Sequence, residues 1–334
     1  MQQNGKVYLV GAGLGSIDYL TVKGWKLLKQ AEVLIYDALV DNYLVNLTPT
    51  SCLRLDVGKR GGKPSTSQAE INSLLVKYCL EGKQVVRLKS GDPFIFGRAV
   101  PEIEALQAAG CHWEVMPGIT SAIAAPLLAG IPLTEKDLSR CFAVVTGHQP
   151  DILDWDALAK IDTLVILMGG RSLAEIVQRL KDNGRSSNEP VAIIKNCSRL
   201  EQRIFRGTLT DIVEKTSSIS LSPAVIVIGK VVSLTDRLSQ SSLSNLPLTG
   251  KTVLITRSAG QSSKFRDLLQ QQGASILEMP ALEITPPSSW ADLDRAIANL
   301  ASFNWLILTS ANGVNYFFDR LETQGKDCLL YTSP

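Results

Sequence analysis

Two glycine-rich turns, each following a predicted strand, carry the residues of this sequence that are best suited to holding a ligand. The first is Gly11-Ala12-Gly13-Leu14-Gly15, and the second spans residues 90–98. Glycine adopts backbone angles that are closed to other residues, and Pro93 fixes its own φ within the second turn. Phe94 and Phe96 add apolar surface there. Two such turns at strand ends predict the pocket of an α/β nucleotide-type fold.

The composition is that of an ordinary globular protein. The chain has 334 residues, of which 45% are hydrophobic and 20% are charged, so it can bury at least one full core and is expected to form two or three domains. Its formal net charge of +2 and the lack of any basic run argue against a nucleic-acid partner.

The cysteines and the hydropathy limit the remaining classes. Six cysteines are widely spaced without a CxxC pair, and only His112 and His148 could assist a metal site, so we expect reduced thiols, a cytoplasmic location and no metal. No apolar stretch approaches the roughly 20 residues that span a bilayer, and the polar start of the chain is unlike a signal peptide, so no membrane partner is expected.

Strand-like apolar runs alternate with helical patterns along the first 229 residues. The predicted strands are Val7–Val10, Val33–Tyr36, Val85–Leu88, Trp113–Met116, Cys141–Thr146, Thr163–Met168, Val191–Ile194 and Ala224–Gly229. The predicted helices are Thr21–Gln30, Ser67–Glu81, Glu102–Ala109, Thr120–Leu128, Leu173–Asn183 and Leu209–Lys215. This alternation predicts a doubly wound α/β architecture.

A polar, serine-rich stretch at 238–249 predicts a linker between a first region, 1–237, and a second, 250–334. The second region repeats the α/β pattern. Its predicted elements are strand Thr252–Thr256, helix Ser262–Gln272, strand Ser275–Met279, helix Ala291–Leu300, strand Trp305–Thr309 and helix Gly313–Leu321. Three strands would leave sheet edges uncovered, so we expect part of a larger domain.

Several motifs in order and spacing make residues 6 to about 237 resemble the uroporphyrinogen-III C-methyltransferases. They are Val10-Gly11-Ala12-Gly13, Tyr36-Asp37-Ala38-Leu39-Val40, Val57-Gly58-Lys59-Arg60, 91–98, Pro117-Gly118-Ile119-Thr120, Gly130-Ile131-Pro132-Leu133-Thr134, Val145-Thr146-Gly147-His148 and Ser222-Pro223-Ala224. The resemblance implies a two-lobed tetrapyrrole methylase fold, with a lobe boundary near 117–133, in a homodimer. It also implies S-adenosylmethionine as methyl donor and uroporphyrinogen III as substrate, methylated twice to precorrin-2 for sirohaem or cobalamin.

From Lys251 onward the chain resembles the start of uroporphyrinogen-III synthase, the enzyme that makes this substrate. The matching segments are Ile255-Thr256-Arg257, Pro280-Ala281-Leu282-Glu283-Ile284 and Thr309-Ser310-Ala311-Asn312. The resemblance implies a fusion of the two enzymes in a multifunctional chain. We expect the synthase part, a truncated α/β domain, to be incomplete and inactive.

The first resemblance also assigns the donor site. It implies contacts from Gly11, Gly13, Leu14, Ser90, Gly91, Asp92, Ile95, Thr120, Ser121, Met168, Cys197 and Ala224. Two alternatives stay open: Gly91 and Gly97 could serve only a tight turn, and Met168 could be a core side chain.

Methylation of an electron-rich pyrrole carbon requires positioning and a base that removes a proton afterwards. By resemblance that base is Asp37, with Lys59 as its proton-donating or carboxylate-binding partner, although Asp37 could instead be a cap. Arg60 and Arg98 are the cations expected on the substrate carboxylates, while Lys63 is more consistent with a solvated surface charge. His148 could face the site or serve a turn.

The sequence departs from the family pattern at several pocket positions. They are Leu14, Ser16, Ser90, Ala99-Val100-Pro101 and Cys197. A Cβ at a former glycine would cost affinity if that residue needed positive φ, and Pro101 removes a backbone donor. A non-catalytic tetrapyrrole-binding or scaffold module therefore stays open, as does a methylase of a later corrin precursor, diphthamide or ribosomal RNA. A dehydrogenase is weaker, because the first turn does not complete GxGxxG.

Overall fold

The computed structural model describes residues 5–58, 66–199, 201–238, 246–256, 263–279, 281 and 284–326. The chain divides into two compact units, 1–240 and 241–334. The first unit contains two five-stranded sheets, and the second contains a two-stranded sheet. None of the helices in the described ranges is long and apolar enough to cross a membrane.

The first sheet is entirely parallel, with the strand order β3-β2-β4-β1-β5. Its strands are β1 Lys6–Gly11, β2 Val33–Tyr36, β3 Leu53–Asp56, β4 Gln84–Lys89 and β5 His112–Met116. The intervening helices are α1 Val22–Lys29, α2 Asn42–Val45, α3 Gln68–Leu80 and α4 Ala99–Ala108. Parallel strands share one direction, so all five carboxyl ends lie along one edge of this sheet.

Both faces of the first sheet are covered. Val7, Val85 and Ile103 belong to a buried cluster on one face, and Val10, Leu28 and Leu88 belong to a cluster on the other. Alternate residues of a strand point to opposite faces, which is why both β1 and β4 contribute to both clusters.

The second sheet is mixed, which differs from the doubly wound expectation. Its order is β6-β7-β10-β8-β9, and β10 runs antiparallel to both β7 and β8. The strands are β6 Phe142–Thr146, β7 Thr163–Leu167, β8 Pro190–Lys195, β9 Arg203–Thr208 and β10 Ala224–Ile228. The helices of this region are α5 Ser121–Leu128, α6 Trp155–Ala159, α7 Leu173–Asp182, α8 Ile212–Lys215 and α9 Thr235–Leu238.

The two lobes of the first unit meet in the segment between β5 and α5. The first sheet ends at Met116, whereas α5 buries Ala122 and Ala125 in a cluster with Val165 and Val227 of the second sheet. Residues 117–120 therefore connect a strand of one lobe to a helix of the other.

Most of the predicted elements of the first unit are confirmed within a residue or two at each end. The predictions omitted β3 and β9, whose charged residues hide the strand pattern, and started α4 three residues too late. Arg98 turns the chain into α4 with a left-handed φ of 53°, and a proline is tolerated in a first helical turn.

The second unit contains β11 Thr252–Ile255, α10 Ser263–Gln271, β12 Ser275–Glu278, α11 Ala291–Ala298 and α12 Ala311–Thr323. Its two strands pair in parallel, and Ile297 of α11 packs with Phe317 and Leu321 of α12. The predicted strand Trp305–Thr309 is wrong: within the described part of this unit it joins no sheet. Trp305 and Ile307 are accordingly 83% and 77% exposed.

Candidate active site

The two glycine turns are hydrogen-bonded to each other at the carboxyl edge of the first sheet. The amide of Gly91 donates to the carbonyl oxygen of Gly13 at 2.9 Å, and the amide of Gly13 donates back to Gly91 at 3.2 Å. The amide of Ala12 donates to Lys89 at 2.7 Å, which continues the pairing of β1 with β4. The sequence therefore brings its two turns together as one structure.

Gly91 has an open side. Its φ is +68°, and a Cβ built on it would come no closer to another atom than 3.8 Å, to the Cα of Thr120. Gly118 is different, because a Cβ there would lie 2.1 Å from the carbonyl oxygen of Gly91. A Cβ on Gly97 would lie 2.3 Å from the carbonyl oxygen of Pro93, which is what a tight turn requires. Gly91 thus borders free space, whereas Gly97 and Gly118 permit close backbone packing.

The carboxylate of Asp92 ties two loops together. Its Oδ1 accepts from the amide of Phe94 at 2.8 Å, and its Oδ2 accepts from the amide of Gly118 at 3.0 Å. The loop after β4 is therefore fixed to the loop after β5. Thr120 in the latter loop caps α5 by accepting from the amide of Ala122 at 3.3 Å, and Ser121 is the first residue of that helix.

Asp37 lies at the same edge, directly after β2. Its Oδ1 accepts from Arg87 Nη2 at 2.5 Å and its Oδ2 accepts from the amide of Ser90 at 3.4 Å. The side chain keeps 31% of its surface exposed, while that of Arg87 keeps 2%. Burial opposes the charge of Arg87, but Asp37 and Glu102 outweigh that effect and raise its pKa. Asp37 is thus held by a buried cation and still reaches the surface of the edge.

Beneath Asp37 lies a charged cluster that sequence reasoning missed. Arg87 and Lys89 both contact the buried Glu102 of α4. Burial, together with the charge of Arg87, lowers the pKa of Lys89. The signal was present in the sequence, since two cations stand at alternate positions within an otherwise apolar buried strand.

The second lobe presents three residues with left-handed backbone at its own sheet edge. They are Met168, Asn196 and Ser198, with φ of 57°, 51° and 62°. Met168 follows β7 and is 52% exposed, so the core alternative for it is wrong. Ala224 opens β10 opposite Lys195, which places it beside the loop 196–198. Non-glycine residues in this conformation are costly and cluster at functional sites.

Two hydrogen bonds connect this loop to the first lobe. Ser198 Oγ donates to the carbonyl oxygen of Leu14 at 3.1 Å, and Arg199 Nη2 donates to that of Leu39 at 3.2 Å. Leu14 of the first lobe and the loop that carries Cys197 in the second lobe are therefore close neighbours, although more than half of the chain separates them.

Two of the pocket departures carry no backbone strain. Neither Ser90 nor Cys197 is among the non-glycine residues with positive φ in the described ranges. The loss of affinity that positive φ would cause at a former glycine therefore does not arise at these two positions. Burial raises the pKa of Cys197 to about 11. Burial also raises the pKa of Tyr19, with a further contribution from Cys197. Cys197 is thus a protonated, weakly nucleophilic thiol near neutral pH.

The other departures are accommodated locally. Pro101 is the third residue of α4, where a backbone N–H would have no intrahelical partner, so the predicted loss of a donor costs nothing. Ser16 caps the following 3-10 turn by accepting from the amide of Asp18 at 3.3 Å. Ala99 is buried at the start of α4.

The remaining predicted site residues are less constrained. Arg98 and Ile95 are exposed after β4, with Phe94 and Phe96 adjoining as exposed apolar rings. His148 and His112 are exposed. Lys59, Arg60 and Lys63 lie outside the described residues. Within the described ranges, no three His, Cys, Asp or Glu side chains are grouped to hold a metal ion.

Ser90 adds one further property to this edge. Its Oγ is shielded from solvent and has no hydrogen-bond partner among the described residues. A buried hydroxyl without a partner is costly unless a ligand supplies one. Together with the open side of Gly91, this favours a bound molecule with polar groups at this position.

Comparison with known proteins gives two family matches. Residues 6–213 match the family Tetrapyrrole (Corrin/Porphyrin) Methylases, and residues 263–331 match the family Uroporphyrinogen-III synthase HemD. A uroporphyrinogen-III C-methyltransferase of Synechococcus elongatus is 53% identical over 230 residues, covering 69% of this chain and 95% of the relative.

Two further similarities extend the comparison. The porphyrin biosynthesis protein HemD of Ruminiclostridium josui is 38% identical over 331 residues, which cover 97% of this chain but only 65% of that protein. The crystal structure of uroporphyrin-III C-methyl transferase from Thermus thermophilus, complexed with S-adenyl homocysteine, matches with a TM-score of 0.60 and 37% identity. That match covers 69% of this chain and 100% of the other.

Proposed function

We propose that this chain, which belongs to the tetrapyrrole (corrin/porphyrin) methylase family, adds two methyl groups to uroporphyrinogen III and so makes precorrin-2 for sirohaem or cobalamin. It is a methyltransferase, and its methyl donor is S-adenosylmethionine. The observation that carries the proposed substrate reaction is the meeting of Asp37, the turn at Gly91 and the loop 196–198 around one edge.

The donor fits the residues that border this edge. Ser90 Oγ lacks a protein partner, and the free space beside Gly91 would admit the ligand. When bound, S-adenosylmethionine supplies an electrophilic methyl group on a sulfonium sulfur. We assign its binding to residues of both lobes: Gly11, Gly13, Leu14, Ser90, Gly91, Asp92, Ile95, Thr120, Ser121, Met168, Cys197 and Ala224.

Asp37 acts in this proposal as the general base that removes the proton from the methylated ring. Its support is the ion pair with Arg87, which holds the carboxyl group of Asp37 at this edge. We assign proton donation or carboxylate binding to Lys59. Arg60 and Arg98 bind the substrate carboxylates, for which guanidinium groups offer paired donors.

The direct test is incubation of the purified chain with uroporphyrinogen III and labelled S-adenosylmethionine, with methyl groups counted on the product. Two methyl groups per macrocycle are expected. A chain that binds S-adenosylhomocysteine yet transfers no methyl group to this substrate would contradict the assignment of substrate. A chain that also fails to bind S-adenosylhomocysteine would support a scaffold.

We further propose the domain organisation 1–237 for the methyltransferase, 238–249 for a linker and 250–334 for a partial synthase-like domain. We propose that this second domain is inactive as a synthase. The exposure of Trp305 and Ile307, together with a sheet of two strands in the described part of the unit, supports this. Conversion of hydroxymethylbilane by the purified chain would contradict it.

We also propose a homodimer in the cytoplasm. Sedimentation equilibrium of the purified chain should give twice the mass of 36.2 kDa. A monomer across the micromolar range would rule out the dimer.

A further inference from the structure

Four charged side chains form a chain of contacts that leads from the interior to the active-site edge. Glu102 of α4 is fully buried, and the side chains of Arg87 and Lys89 on β4 are each 2% exposed. Asp37 alone reaches the surface, with 31% of its side chain exposed. Two cations thus face two carboxylates, and the cluster has no net charge.

The contacts hold the guanidinium of Arg87 from several sides. Its Nε donates to Glu102 Oε1 at 3.1 Å and its Nη2 donates to Asp37 Oδ1 at 2.5 Å. Its Nη1 lies 3.4 Å from the carbonyl oxygens of both Ile35 and Leu88. Because Glu102 is the side chain that engages Nε, it helps to fix where Nη2 of the same guanidinium meets Asp37.

Lys89 balances Glu102. Its Nζ donates to Glu102 Oε1 at 2.7 Å, the same oxygen that accepts from Arg87. Glu102 Oε2 is buried without a partner among the described residues. Three buried charges and an orphaned oxygen are expensive compared with apolar side chains of the same size, so the arrangement is a poor device for stability alone.

The other charged side chains of β3, α3 and α4 in the described ranges lie at the surface. Asp56 of β3, Glu70 and Lys77 of α3, and Glu104 of α4 are all exposed. Asp92 in the adjoining loop is engaged by the amides of Phe94 and Gly118. The charge that Asp37 experiences from the interior therefore comes from Arg87, Lys89 and Glu102.

We propose that Glu102 is a positioning residue that acts through Arg87 to orient Asp37, and that the charges of Glu102 and Lys89 contribute to the pH dependence of methyl transfer. The inference rests on the proposed function, in which Asp37 removes a proton from the methylated ring. Glu102 itself touches neither the substrate nor the donor.

The test uses charge changes of opposite sign in the full chain. Glu102→Gln removes a negative charge and keeps a side chain of nearly the same size. Lys89→Met removes a positive charge. We measure the single-turnover rate of methyl transfer to uroporphyrinogen III against pH, and the binding of S-adenosylhomocysteine by calorimetry.

In Glu102→Gln the acid limb of the pH–rate profile should move to lower pH by about one unit, because Asp37 then faces the cation of Arg87 without the opposing charge of Glu102. In Lys89→Met the limb should move to higher pH. The double variant restores neutrality and should return the limb toward its wild-type position. The maximal rate of Glu102→Gln should fall about tenfold from misorientation, with S-adenosylhomocysteine affinity retained.

Glu104→Gln, on the exposed face of the same helix, is the matched control and should leave the profile unchanged. If Glu102→Gln fails to fold, the shift of the acid limb in Lys89→Met still tests the inference. Single variants that slow the reaction without moving the limb, or that move it in the same direction, would overturn the inference while leaving an active wild type. A wild-type chain that methylates nothing would instead overturn the proposed function, and this inference with it.

Discussion

The hydroxyl of Ser198 donates to the carbonyl oxygen of Leu14 at 3.1 Å and so joins two loops that are 184 residues apart in sequence. Ser198 holds a left-handed backbone to make this contact, and Leu14 lies in the first glycine turn. The contact holds together the two halves of the proposed donor site.

Ser198→Ala removes the donor of this hydrogen bond. A hydrogen bond of this kind contributes about 0.5–1.5 kcal/mol, so the dissociation constant for S-adenosylhomocysteine should rise about two- to tenfold. Calorimetry measures this directly. Ser217→Ala is the control, because Ser217 Oγ bonds locally to Glu214 on an exposed turn and its loss should leave affinity unchanged.

Asp37→Asn keeps the shape of the side chain but removes the base. The rate of methyl transfer should fall by about 10²–10⁴, while S-adenosylhomocysteine should bind with unchanged affinity because the donor site is intact. Single-turnover kinetics and calorimetry separate these two effects. The exposed Asp151→Asn serves as control, and an Asp37→Asn variant with wild-type kinetics would remove Asp37 from the mechanism.

Gly91→Ala and Gly118→Ala should differ sharply in stability. At Gly91 the only cost is the left-handed φ, about 1–2 kcal/mol, since no atom lies within 3.4 Å of the added Cβ. At Gly118 the added Cβ would lie 2.1 Å from a backbone oxygen, so the two loops must separate. Urea unfolding should rank Gly118→Ala as the less stable variant.

The same pair separates stability from ligand binding. Gly91→Ala should fold and yet bind S-adenosylhomocysteine more weakly, because its new methyl group occupies the space that we assign to the donor. Equal affinity in Gly91→Ala and wild type would place the donor elsewhere.

Cys197 should be a slow nucleophile at neutral pH. Its thiol pKa of about 11 leaves only a minute thiolate fraction near pH 7, so alkylation by iodoacetamide should stay slow at pH 7–9 and accelerate toward pH 11. Peptide mass spectrometry follows this site, and Cys197→Ser confirms the assignment. Such a thiol can lie beside a methyl donor without being methylated itself. Rapid alkylation at pH 7 would contradict the raised pKa of Cys197.

Local pattern was sufficient to predict the edge of the first sheet. Glycine turns and Asp37 follow strands whose apolar runs are unambiguous, and parallel strands must end together. β9 escaped prediction because it is a partly exposed edge strand, and its charged residues Arg203 and Arg206 break the apolar run. β9 is defined by its pairing with β8, which local sequence does not reveal.

The left-handed residues and the acidic partner of the buried cations required the structure for a different reason. The sequence analysis asked only whether Ser90 or Cys197 needs positive φ; neither has it, and left-handed backbone occurs at residues such as Met168, Asn196 and Ser198, where the fold rather than the residue type imposes it. Glu102 resembles an ordinary surface charge in the sequence, and only the packing of α4 on β4 reveals that it is enclosed with Arg87.

The hydrogen bond between the amide of Gly118 and Asp92 also joins the proposed donor site to the connection between the lobes. The segment 117–120 connects β5 of the first sheet to α5, which packs on the second sheet. The side chain of Asp92 bonds this segment to the loop that contains Gly91. Asp92 therefore links the open side of Gly91 to the segment that joins the two lobes, so we expect a molecule bound beside Gly91 to affect both segments together.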